Sequence, residues 1–89
     1  FPLEMKISKS EFRKLSLEKR YILLKTNGEH ITARMQGVHR IHLFGISGFF
    51  VEVWIVISLN QVHWIEIQEN QSILADYASR VDMKKELGI

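Results

Sequence analysis

The stretch Phe49-Phe50-Val51-Glu52-Val53-Trp54-Ile55-Val56-Ile57 constrains this chain more than any other. β-Branched and aromatic residues at every second position suit a pleated strand and suit a helix poorly. Phe49, Val51, Val53, Ile55 and Ile57 make one side, wholly apolar and in need of a core. Phe50, Glu52, Trp54 and Val56 make the other, aromatic with a single carboxylate. Such a strand needs two different covers, and the remaining sequence is read as what supplies them.

The chain has 89 residues, enough for one domain (residues 1–89) that buries about 60 to 65% of its unfolded surface. With 46% hydrophobic and 25% charged residues it falls among folded globular proteins. Twelve Lys and Arg against ten Asp and Glu leave +2, too small a surplus to select nucleic acid or an acidic surface. The absence of cysteine excludes a disulfide framework, a zinc ribbon and a thiol nucleophile. The most apolar region, residues 41–59, is broken by His42, Gly45, Ser47, Gly48 and Glu52, so it is not a membrane helix. No signal-peptide pattern opens the chain, and a cytoplasmic protein with no membrane partner is expected. Residues 1–7 read as a disordered tail, with 1–4 a cloning remnant upstream of Met5.

Ser8 and Glu11 have the spacing of a capping box, and Ser16 offers a second N-cap before Leu17, Tyr21 and Leu24. One bent helix or two short ones fit this pattern. Asn27-Gly28 is expected to close it in a left-handed conformation. Alternating segments follow at residues 29–36, 38–44, 49–57 and 62–68, separated by Gly37, by Gly45-Ile46-Ser47-Gly48 and by Ser58-Leu59-Asn60-Gln61. Loops this short require antiparallel neighbours. Residues 71–87 form a last helix, with Ser72 as its cap, Leu74, Tyr77, Val81 and Leu87 as its apolar stripe, and Gly88 beyond its end.

The expected fold class is therefore α+β and two-layer: an N-terminal helical segment, a four-stranded antiparallel meander and a C-terminal helix on the same sheet face. For that face to be apolar, Ile31, Ile41 and Leu43 must join Val51, Val53, Ile65 and Ile67, which needs an odd number of residues in the loop before Phe49. The opposite face then gathers Arg34, Arg40, His42, Phe44, Phe50, Glu52, Trp54, Val56, Trp64 and Glu66, with Arg40 close enough to Trp54 and Trp64 to rest on an indole and Glu52 near His42 and Glu66. Tryptophan, phenylalanine and arginine together have the composition of a protein-interaction hot spot.

Catalytic chemistry finds little support. Glu52 and Glu66 on adjacent strands form a salt-linked surface far more often than an acid–base pair. His39 and His42 point to opposite sides of a strand, and His30, His39, His42 and His63 would have to converge through the fold to hold a metal, so neither metal nor cofactor is expected. His63 reads as an edge histidine on the core side with one hydrogen-bond partner. Ser47 lacks the glycine two places on that a nucleophile elbow uses, and the glycines match no phosphate loop. An open aromatic sheet is compatible with stacking RNA bases, but Glu52 and Glu66 oppose phosphate and the order of elements differs from that of RNA-recognition domains.

The segments Leu15-Ser16-Leu17-Glu18-Lys19, Asn27-Gly28 and above all Phe49-Phe50-Val51-Glu52-Val53-Trp54 resemble a group of small uncharacterised bacterial proteins, over residues 15–67. The resemblance implies a compact bacterial domain and carries no activity. A non-catalytic interaction or regulatory protein is expected, associating through its aromatic sheet face with a protein partner or with itself as a homodimer. The alternatives are a ligand-binding or enzymatic domain using Glu52, Glu66 and His42, or a weak nucleic-acid-binding sheet.

Overall fold

The computed structural model describes residues 6–86, and side chains as far as residue 79. Two short helices open it. In α1 (Lys9–Arg13) the capping box is complete: Ser8 Oγ accepts from the Glu11 amide at 3.0 Å, and Glu11 Oε1 accepts from the Ser8 amide at 2.9 Å. Ser16 caps α2 (Leu17–Asn27), its Oγ accepting from the Lys19 amide. The helix does not end left-handed as expected. Gly28 is extended at φ −84°, and a Cβ there would lie 2.7 Å from the Leu24 carbonyl oxygen, so glycine is needed for room rather than for a positive φ.

Strands β1 (Glu29–Gln36), β2 (His39–Ile46), β3 (Phe49–Val56) and β4 (Gln61–Ile67) pair in sequence order, all antiparallel, and α3 (Gln71–Glu86) follows. The α+β architecture of N-terminal helix, four-stranded meander and C-terminal helix is thus as expected. The cap of α3 is Asn70 instead of Ser72: Asn70 Oδ1 accepts from the amides of Ser72 and Ile73 at 2.9 and 3.1 Å. Leu87 and Gly88 lie outside the described residues.

The register is where the fold departs from expectation. Ser47 and Gly48 sit at φ 49° and 84°, positive at both centres as in a two-residue type I′ hairpin. Gly45 and Ile46 therefore remain in the strand, and Ile46 pairs directly with Phe49. An even loop exchanges the faces of β2 relative to β3. Phe44 and His42 stand opposite Val51 and Val53, while Leu43 and Ile41 stand opposite Glu52 and Trp54. Arg40 and His42 thus leave the aromatic side, where the sequence placed them, and lie on the side of Val53.

Each face is consequently apolar over part of its area, and each takes a helix. Phe12, Leu23 and Leu24 from α1 and α2 bury Phe44, Ile46, Phe49, Val51, Val53 and Ile65, with the Phe12 and Phe49 rings edge-to-face at 5.9 Å. Each such side chain contributes about 1.5 to 3 kcal/mol when fully buried. On the other face Ile41 and Leu43 are buried, and Tyr77 of α3 closes over Glu52 through a 2.8 Å hydrogen bond. The two helical segments thus lie on opposite faces of the sheet rather than sharing one. Once the type I′ turn carries Ile41 and Leu43 to the Glu52 side, that side has apolar surface of its own to cover.

Candidate functional site

Glu52 is the one buried charged residue of the described core, with none of its surface exposed. Alternation along β3 turns it away from Val51 and Val53, into the space beneath α3. There Oε2 accepts from the Tyr77 hydroxyl at 2.8 Å and from Arg34 Nη2 at 3.1 Å, and Oε1 accepts from Gln68 Nε2 at 2.9 Å. The Tyr77 oxygen also accepts from Arg34 Nε at 2.7 Å, and Arg34 Nη1 donates to Gln36 at 2.6 Å. Burial, then the bond to Glu52, pushes the Tyr77 hydroxyl up to about 12. Burial opposes the charge on Arg34, but its bonds to Tyr77 and Glu52 outweigh that and hold its pKa above the ordinary guanidinium value. Both oxygens of Glu52 are engaged and shut from solvent, which suits a structural clasp joining β1, β3 and α3 and leaves a substrate no access to them.

Glu66 stands opposite Glu52 in the register but points to solvent, where it accepts from Trp64 Nε1 at 2.6 Å. With one carboxylate sealed and the other open, the two do not form an acid–base pair. His42 is on the opposite face, so Glu52, Glu66 and His42 do not surround a common pocket. Burial, followed by the charges of His30, Arg40 and Lys25, holds His42 below the ordinary imidazole range, and its Nδ1 lies 2.8 Å from His30 Nε2.

The expected contact between guanidinium and indole exists with different arginines. Arg34 lies 5.9 Å from the Trp54 ring and Arg20 lies 5.7 Å from the Trp64 ring, whereas Arg40 is exposed on the other side. Arg20 is anchored three ways, donating to the carbonyls of Leu15, Ile65 and Arg13. It ties the turn between the first helices to β4, an edge strand. Trp54 and Trp64 are direct register partners, as the sequence suggests.

Beyond the reach of Tyr77 the end of the sheet that carries the β1–β2 and β3–β4 turns is exposed, with Trp64 on the aromatic side and Val38 and Ile57 toward the other. Trp64 is 49% exposed, Leu59 64%, Val38 65% and Ile57 38%. The β1–β2 and β3–β4 turns meet at this end of the sheet, where the Ile57 amide donates to the Val38 carbonyl at 3.0 Å. His63 is the extra residue of a bulge between the Trp54–Trp64 and Ile55–Val62 pairs, which brings its ring to His39 on the aromatic side and not to the core side. Trp54 Nε1 is buried and has no hydrogen-bond partner. At the opposite end, a cleft of about 800 Å³ runs between the start of α3 and the β2–β3 hairpin, lined by Leu43, Phe50, Gln68, Leu74 and Tyr77. A Lys9–Glu69 ion pair of 2.7 Å lies beside it.

Among the described residues no helix is long and apolar enough to cross a membrane. No protein-family model, no curated protein and no solved structure matches this chain.

Proposed function

We propose that the chain is a small non-catalytic interaction protein that pairs with a second copy of itself through the exposed hairpin end of its sheet, where Trp64 of the aromatic face meets Val38, Ile57 and Leu59. The observation that carries this reading is the exposure of Val38, Ile57, Leu59 and Trp64 where two hairpin turns meet. Large apolar side chains gathered at one end of a sheet are the kind of surface that association removes from water. Trp64 is the natural anchor, a rigid aromatic with its nitrogen already bound to Glu66 and its ring beside Arg20. A net charge of +2 places little repulsion between copies. The sealing of Glu52 supports a non-catalytic role, and the likeness to small uncharacterised bacterial proteins is compatible with it.

Sedimentation equilibrium of wild type and Leu59→Glu tests the reading. The expected result is a concentration-dependent dimer that Leu59→Glu weakens by about tenfold or more, the effect of placing an unpaired charge in an apolar contact. A wild-type chain that stays monomeric to millimolar concentration rules it out. A second reading, binding of an apolar small molecule, rests on the cleft beside Phe50 and Leu74 instead of on Glu52, Glu66 and His42.

A further inference from the structure

On the side of the sheet that receives α2, positive charge gathers without a counter-charge. His30 Nε2 and His42 Nδ1 lie 2.8 Å apart across β1 and β2. Lys25 of α2 holds its ammonium 5.9 Å from the Tyr21 ring, and Arg40, two residues before His42 on β2, shares its side of the sheet. Neither Lys25 nor Arg40 makes an ion pair among the described residues. After burial, the influences on His42 are the charges of His30, Arg40 and Lys25, all of one sign.

These groups border a depression of about 300 Å³, at the lower end of the range of small-molecule sites. Its floor is core: Leu24, Phe44 and Val53 are buried, and Ile55 lies half-buried beside them. Tyr21, Lys25, His30 and His42 make its walls, with His30 edge-on to Phe44 at 5.2 Å. The carboxylates of the flanking elements, Glu18 of α2 and Glu29 of β1, do not line it, and β3 brings only Val53 and Ile55. None of Val38, Ile57, Leu59 and Trp64 lines it either, so it is independent of the surface assigned to self-association.

We infer that this depression binds a small aromatic carboxylate, its ring on the floor of Leu24, Phe44 and Val53 and its charge toward Lys25 and the His30–His42 pair. The ring takes the place of water over apolar surface, and a flat body suits the aromatic walls of Tyr21 and Phe44. The carboxylate supplies the missing counter-charge in a half-buried place, where attraction is stronger than in bulk water. In the free pair one inner imidazole nitrogen donates to the other, which leaves a lone pair on one outer nitrogen. A proton taken from solvent at that outer nitrogen gives the pair one positive charge and keeps the inner bond. Lys25 and Arg40 oppose that charge, and a bound carboxylate offsets their opposition, so ligand binding and proton uptake are coupled.

Titration of the chain with sodium 2-naphthoate at about pH 6.5, followed by amide and imidazole ¹H–¹⁵N correlations, tests the site. The expected result is saturable one-to-one binding with a dissociation constant of about 1 mM or lower, the shifts centred on Lys25, His30, His42 and Val53. Neutral 2-naphthamide should bind about fivefold more weakly, and Lys25→Met should weaken naphthoate by a similar factor. Affinity for naphthoate should rise about threefold or more between about pH 8 and pH 6, a range in which the carboxylate stays ionised. That rise should be lost in His42→Gln, while His63→Gln, on the aromatic side, should leave binding unchanged. Urea midpoints of the variants separate a lost site from a lost fold, and Lys25→Met carries the test if His42→Gln unfolds. Absence of saturable binding in folded wild type, equal affinity for the amide, an affinity unchanged by Lys25→Met, or an affinity flat between pH 8 and 6 would each overturn the assignment.

Discussion

Glu52→Gln removes one charge and changes no shape, so it isolates what the buried clasp contributes. In wild type the carboxylate accepts three hydrogen bonds, from Tyr77, Arg34 and Gln68. A glutamine keeps one accepting oxygen, which goes to Tyr77 and Arg34, and turns an NH2 group toward the Gln68 amide. Gln68 cannot answer by flipping without loss, because its Oε1 already accepts from the Asn70 amide at 2.8 Å, just before α3. Removing one member of a buried ion pair costs about 3 to 5 kcal/mol, and the Arg34 side chain retains 16% exposure through which water relieves part of this. The expected loss is about 2 to 3 kcal/mol, against a total of roughly 4 to 13 for a chain this long. At a urea dependence of about 1 kcal/mol per molar the midpoint falls by roughly 2 to 3 M with an unchanged slope. A midpoint within about 0.3 M of wild type would refute the claim that the Glu52 charge is buried and partnered.

Three further outcomes are expected of the fold. The Tyr77 hydroxyl titrates near 12 in the fold and near 10 in the unfolded chain, so its contribution is complete below pH 10 and is lost as the pH rises toward 12. Two units correspond to about 2 to 3 kcal/mol, and urea midpoints between pH 9 and 11.5 should show a decline that is shallower in Tyr77→Phe. Gly28→Ala forces a Cβ to 2.7 Å from the Leu24 carbonyl and should cost about 1 to 3 kcal/mol by thermal unfolding, with no effect marking the Gly28 placement as wrong. His42 titrates below its unfolded value, so stability is present above about pH 6.5 and is lost as pH falls through the lower folded value; an NMR midpoint for His42 at or above 6.5 would contradict its placement.

The element order was legible because local chemistry carries it. The capping spacing of Ser8 and Glu11, the alternation of residues 29–36 and 49–57, and the shortness of the loops are each settled within a few residues. The register was not, because it hung on whether Gly45 and Ile46 belong to the turn or to the strand. Ser47 accepts a positive φ, so two residues suffice for the turn, and that one choice moved Ile41, Leu43, Arg40 and His42 together. Tyr77 was read correctly as a packing residue of the last helix, but its partner Glu52 read as an exposed charge. A lone carboxylate among Phe50, Trp54 and Val56 was the available signal, since a charge in such surroundings needs a partner in the fold. Arg34, Arg20 and the His39–His63 contact come from segments far apart in sequence, and the bulge at His63 has no local signature.

The claim that self-association occurs at the exposed hairpin end of the sheet is tested most directly by a dilution series of amide and indole NMR spectra. Between about 10 μM and 1 mM, a range that brackets a weak dimer, the Trp64 indole and the amides of Val38, Ile57 and Leu59 should shift with concentration. The Tyr77 and Glu52 amides should stay where they are. Spectra that do not change with concentration, or changes confined to α1 and α2, would contradict the account.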